Sequence, residues 1–294
     1  MSIESIINNI NSLPPLSNVA HIVQSLYAGG LENLDVSRLV RVIESDAMLA
    51  ANILKMINAP FYALRNPVVS VSQAVSLLGA DQIHKLVIYY AISEKIKADP
   101  SIYGFTNTQF NDLCQLQSSL MLEWYSKVNL KEAKFLSHLA LMMESGKLIL
   151  ANEVINSDYC GEFRKGFNEC ENIQEYEKSL IGTTSYYLTA ILFEHWNIEP
   201  KYVAILKSLD FTDEELDKIE HKDKDVEENI KESKVLFKGK TFKQELEVIR
   251  TAINVKDILS HNSIKKASKI VKSMGLYDMD FEEVAYKIRR SYLE

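Results

Sequence analysis

Residues 139–150 read LALMMESGKLIL. The stretch is apolar and helix-like, and Glu144-Ser145-Gly146-Lys147 interrupts it once. A segment this greasy belongs in a core, so it predicts a chain built from buried helices. It also places one acid where a reactive group could sit. Either this is the floor of a catalytic site or it is a scaffold helix.

The rest of the chain speaks for helices as well. Of 294 residues, Gly contributes 10 and Pro 6, about half their usual share. Few turn-makers with much Leu, Ile, Lys and Glu favour long helices over hairpins. Hydrophobic residues make up 47% and charged residues 25%, ordinary for a globular protein that needs no disulfide or metal staple. The net charge of −7 argues against nucleic acid and anionic membrane as partners, since both demand basic surface. Cys114, Cys160 and Cys170 form no C-x-x-C pair and read as reduced, which places the protein in the cytoplasm. The start, MSIESIINNI, shows no secretory pattern. The longest apolar runs, such as LVIYYAI from Leu86 to Ile92, fall short of the ~18 residues a membrane span needs.

Apolar periodicity sets the element order. Ile3, Ile6, Ile7 and Ile10 mark a first helix that Leu13-Pro14-Pro15-Leu16 ends, and a second runs to Ala28 before Gly29-Gly30. Asp35 or Ser37 can cap the third and Asp46 the fourth, which Asn58-Ala59-Pro60 stops. A loop from Asn58 to Val69 carries Phe61 and Tyr62. Ser70 and Gln73 then offer a capping box for a helix that Gly79 ends, and the next helix runs from about Asp81 to Lys97. After a linker near 99–108, helices are expected near 108–128, 131–155, 159–168, 173–181, 184–197 and 199–209. Residues 210–240 form a charged excursion, and helices near 243–260, 263–274 and 280–292 close the chain. Neither a repeat nor a βαβ alternation is visible. The fold class is therefore all-α, in two helical lobes, residues 1–105 and 106–294.

Three motifs invite functional readings. Gln73 to Val87, QAVSLLGADQIHKLV, has the outline of a DNA-reading helix-turn-helix that would offer Gln82, His84 and Lys85. Its second helix continues as Val87, Ile88, Tyr89, Tyr90, too apolar for an open groove, and Lys85 occupies a position such units bury. A packed helical hairpin is the better reading. Gly239-Lys240-Thr241 resembles the end of a phosphate loop, but Lys234 stands where the leading glycine belongs. The six histidines include no i,i+4 pair for a metal. Among them, His138 and His195 read as structural, the latter beside a core-plugging Trp196.

The order of these pieces resembles the HDOD family of bacterial signalling proteins, from about Leu13 to Leu209. The likeness rests on Leu13-Pro14-Pro15-Leu16, on Ile43-Glu44-Ser45-Asp46-Ala47-Met48-Leu49, on Ile57-Asn58-Ala59-Pro60-Phe61-Tyr62, and on Val71 to Gly79. Ala47 departs from the family's proline and Ala59 from its serine. The resemblance implies an all-α relative of metal-dependent HD phosphohydrolases that has lost the catalytic residues. In those enzymes adjacent His and Asp bind the metal; here Met143-Glu144 hold their positions, followed by a fitting Gly146-Lys147. The other histidines align with Gln117, Ser185 and Ser208-Leu209. Thioether, alcohol and aliphatic groups are poor replacements for imidazole on a hard or borderline ion.

The resemblance therefore implies no catalytic residue, no metal ligand and no cofactor. It implies a non-catalytic regulator that binds signalling proteins or a nucleotide second messenger, in second-messenger, chemotaxis or motility control, with a ligand held in the old cleft between the lobes. The residues singled out for binding are Asn58, Phe61 and Tyr62 in the loop, with Lys147 and Trp196 at the old cleft. Lys147 is expected either to snorkel or to pair with Glu144 or Glu153. The alternatives are a phosphohydrolase with a metal site rebuilt on Glu144 and His138, and a helix-turn-helix regulator.

Overall fold

The computed structural model describes residues 2–28, 33–58, 64–155, 157–212, 214–216, 240 and 242–293. Phe61 and Tyr62, the Gly29-Gly30 stop, Gly239 and Thr241, and most of the charged excursion lie outside the described residues. The chain forms two compact units. Pro14–Lys97 makes the body of one, and Ala98–Arg290 with the N-terminal stretch through Leu13 makes the other.

The smaller unit is a cluster of five helices. They are α2 (Asn18–Ala28), α3 (Val36–Glu44), α4 (Ala47–Ile57), α5 (Val71–Leu78) and α6 (Ala80–Ile96). Their starts follow the sequence signals. Asp35 caps α3 by accepting from Arg38 N, and Asp46 caps α4 by accepting from Leu49 N. Ser70 accepts from Gln73 N, but the return bond of Gln73 goes to Val69 N, one residue before the cap. Gly79 separates α5 from α6 with φ +83, a conformation that glycine alone adopts without strain. Apolar positions at helical spacing, including Leu39, Ile43, Ile53, Ile57, Ile83 and Leu86, build the core. Helix α6 packs on α2, α4 and α5. Lys85 is 2% exposed and Val87 to Tyr89 are buried with it, so this helix does not present a DNA-reading face.

The larger unit begins with α1 (Ile3–Asn11), which packs on α9 and α12. A 3-10 turn, Pro100–Tyr103, leads into α7 (Asn107–Tyr125) and α8 (Leu130–Met142), which form the most extensive helix pair. Then come α9 (Ser145–Ile155), α10 (Cys160–Glu169), α11 (Ile173–Ile181), α12 (Ser185–His195) and α13 (Pro200–Ser208). Helix α14 (Lys243–Ala252), a short antiparallel pair β1 (Ile253–Asn254) and β2 (Asp257–Ile258), α15 (His261–Ser273) and α16 (Asp278–Leu293) complete it. Among the described residues the protein is all-α apart from that pair.

Two expected helices are corrected. The one near 131–155 is two, α8 and α9, broken at Met143-Glu144. Thr189 Oγ1 accepts from Gly146 N at 2.8 Å and lies 2.8 Å from Met143 O, to which it can donate, so α12 stitches the break from outside. The one near 243–260 ends at Ala252. Asn254 causes the turn: its Oδ1 accepts from Lys256 N and Asp257 N while its Nδ2 donates to Arg250 O.

Candidate functional site

All of Leu139–Leu150 is buried. This places Glu144 and Lys147 where an isolated charge would be very costly. Each is satisfied by the other and by neighbours drawn from three helices, α7, α11 and α12. Lys147 Nζ lies 2.9 Å from Glu144 Oε2 and 3.5 Å from Glu177 Oε1, and donates to Ser185 Oγ at 2.8 Å. Glu144 Oε1 accepts from Gln117 Nε2 at 2.8 Å and from Tyr186 OH at 3.2 Å. Gln117 also donates to Ile253 O at 2.9 Å, and Glu177 Oε2 accepts from Ser185 N at 2.8 Å. Glu144, Lys147 and Glu177 are each fully buried.

Local structure explains the convergence. The break at Met143-Glu144 lets α9 start as a new helix, so Gly146 can meet α12 at backbone distance. A Cβ at Gly146 would fall 1.9 Å from Ser185 O and 2.8 Å from Thr189 N. Only glycine permits that approach, and the approach brings Ser185 to Lys147.

The electrostatics follow from burial and pairing. Burial disfavours the Lys147 ammonium, yet the Glu144 and Glu177 carboxylates outweigh it and hold the amine well above its ordinary range. Burial, reinforced by Glu144, pushes the Tyr186 phenol up, and burial with Glu177 does the same to Tyr103. Both phenols stay protonated, as the Tyr186 bond to Glu144 requires. Tyr186 also faces two cations, with Lys147 Nζ 4.7 Å and Arg250 Cζ 5.2 Å from its ring centroid.

Gln117, Glu144 and Ser185 are three of the positions that the resemblance to HD phosphohydrolases aligns with metal ligands. Here Glu144 and Ser185 bind an ammonium group, and Gln117 bonds Glu144. A divalent cation does not fit: the donors are an amide, an alcohol and one carboxylate, and a lysine charge occupies their centre. The rebuilt-site alternative fares no better. The Glu144 oxygens face Gln117, Tyr186 and Lys147, while His138 Nδ1 lies 3.1 Å from Tyr202 OH. Among the described residues no three His, Cys, Asp or Glu side chains are grouped to hold an ion.

The residues singled out from sequence do not form one site. Lys147 is the centre of the buried cluster, with Glu144 as its partner, whereas Glu153 instead accepts from Asn9 Nδ2 at 2.8 Å. Trp196 is 3% exposed at the opposite end of α12 from Ser185. Asn58 spends its side chain on its own loop: Nδ2 donates to Leu54 O and Val68 O, and Oδ1 accepts from Val68 N at 2.7 Å. Glu177, Tyr186, Thr189 and Arg250 escaped the sequence reading. None sits in a motif, and only the fold brings them to Lys147.

Comparison with known proteins agrees with this architecture. The HDOD domain matches residues 13–209. No curated protein matches the chain. Among solved structures, one assigned to signal transduction from Marinobacter aquaeolei VT8 aligns at TM-score 0.62 and 19% identity, covering 98% of this chain and 62% of its own. An HDOD domain protein of unknown function from Geobacter sulfurreducens aligns at 0.59 and 15%, covering 99% and 93%. A virulence factor from Campylobacter jejuni subsp. jejuni aligns at 0.50 and 20%, covering 97% and 96%. At these identities the likeness is one of fold.

Proposed function

The chain belongs to the HDOD domain family, and on that premise we propose that it is a non-enzymatic regulatory protein of bacterial signalling. It works by binding: it presents helical surfaces to other signalling proteins, and its occupancy by a small ligand, such as a nucleotide second messenger, changes what those surfaces hold. Its place of action is the cytoplasm. Second-messenger, chemotaxis or motility control are the processes such a protein serves.

One observation carries the reading. Lys147 Nζ is bonded to Ser185 Oγ at 2.8 Å and paired with Glu144 at 2.9 Å, whose other oxygen accepts from Gln117. In a hydrolase of this class a divalent ion lowers the pKa of a bound water and stabilises the charge of the transition state. Lys147 neutralises carboxylates but has no open coordination position and activates no water. Its charge supports the fold of this unit rather than a reaction.

The test is turnover of bis(p-nitrophenyl) phosphate by the purified chain with added manganese, iron or zinc. The expected result is no hydrolysis above the metal-only blank. Hydrolysis that Glu144→Gln abolishes would contradict the reading.

A further inference from the structure

The larger unit holds a cavity of about 670 Å³ that the buried cluster does not use. We infer that this cavity, between the start of α11, α14, the 253–258 hairpin and α15, is a binding site for a small phosphorylated anion. The inference rests on the regulatory reading and gives it a ligand site. The volume falls within the usual range for small-molecule pockets.

Its chemistry emerges once the committed groups are set aside. Lys256 is spent on the end of α10, donating to Phe167 O at 2.7 Å and to Cys170 O. Asp257 is spent on Ser260 and Ser263: its Oδ1 accepts from Ser260 N at 3.0 Å and Ser263 Oγ at 3.2 Å, and its Oδ2 from Ser260 Oγ. Glu247 Oε2 takes Arg250 Nε at 2.8 Å and also Nη2.

What is left over is mostly donors. Arg250 Nη1 is buried and meets no acceptor among the described residues. Lys266 lines the cavity from an exposed position, with no ion pair among the described residues. Asn172 uses its Oδ1 on Gln174 N and Glu175 N, so its amide nitrogen remains to donate. The carboxylate of Glu171 is exposed on the rim and free to turn to solvent. One unpartnered guanidinium nitrogen, an ammonium and an amide beside one space call for a ligand with several acceptor oxygens. A phosphate group meets that need more fully than a single carboxylate.

The location gives such a ligand consequence. Arg250 stands over the Tyr186 ring, and Tyr186 OH donates to Glu144, the partner of Lys147. An anion that draws Arg250 away from Glu247 acts on a residue in contact with the buried cluster.

Isothermal titration calorimetry of the whole chain with sodium pyrophosphate tests the inference, with sodium chloride at matched ionic strength as the blank. Saturable one-site binding is expected, weakened about tenfold or more in both Arg250→Gln and Lys266→Gln. Lys266→Gln alters an exposed side chain and decides the matter even if Arg250→Gln fails to fold. Absence of heat beyond the chloride blank, or equal affinity in Lys266→Gln, would overturn the site. Either outcome leaves the non-enzymatic reading standing, because that reading falls only to metal-dependent turnover.

Discussion

Lys147 Nζ and Ser185 Oγ are 2.8 Å apart, on two helices that the sequence separates widely. The bond joins a cation to a position that the resemblance to HD phosphohydrolases aligns with an imidazole ligand. With Glu144 and Glu177 it completes a buried array of one ammonium and two carboxylates.

Removing the cation should therefore be severe. Lys147→Met leaves two carboxylates buried without their counter-ion, which costs ~3–5 kcal/mol of stability. The triple change Lys147→Met, Glu144→Gln, Glu177→Gln should recover a large part of that loss. Urea unfolding measures both. Equal stability of Lys147→Met and wild type would show that the array contributes nothing.

Gly146→Ala tests the close approach of α9 and α12. The added Cβ would stand 1.9 Å from Ser185 O, a backbone atom that moves only with its helix. A loss of about 2–3 kcal/mol, typical of forced overpacking, is expected in the same unfolding assay. A neutral or stabilising effect would mean that the helices are farther apart.

His84 should give the smaller unit an acid-sensitive stability. Burial pushes its pKa down to about 4, with Asp81 opposing and Lys85 assisting, and its ring stacks on Tyr27 at 4.1 Å. The folded state thus refuses a proton that the unfolded chain accepts near the ordinary value of 6.5. Stability is whole above that pH and falls as pH drops from about 6.5 toward 4, by roughly 2–3 kcal/mol. Thermal melts across that window should show the decline in wild type and a shallower one in His84→Phe. Parallel profiles would assign the acid sensitivity elsewhere.

Asn58→Ala asks whether this loop residue holds structure or partners. Its three bonds to Leu54 and Val68 predict a loss of about 1–2 kcal/mol in the isolated protein. An unchanged melting temperature would contradict that structural role.

Much of the fold was legible because its signals are local. Ser70, Asp35 and Asp46 announce helix starts through one side-chain oxygen each, and the alternation of buried positions in α3 and α4 is periodic. The break between α8 and α9 was not legible in the same way. LALMMESGKLIL suits a continuous helix, and the backbone groups freed at its break find their partner in Thr189 on a distant helix. The Asn254 turn was hidden likewise, since Ile253 and Val255 extend an apolar pattern while the asparagine side chain redirects the backbone. At the site, the Lys147–Glu144 pair is a spacing of three residues and could be expected. Glu177, Ser185 and Tyr186 join it only through tertiary packing, and Arg250 only through the last helices of the unit.

The claim that Lys147 fills the place of a catalytic metal is tested most directly by equilibrium dialysis of the purified chain against manganese and zinc, with metal content read by mass spectrometry. The cluster predicts far less than one equivalent of either ion, unchanged by Glu144→Gln. One or more tightly held equivalents in wild type, lost in Glu144→Gln, would contradict it.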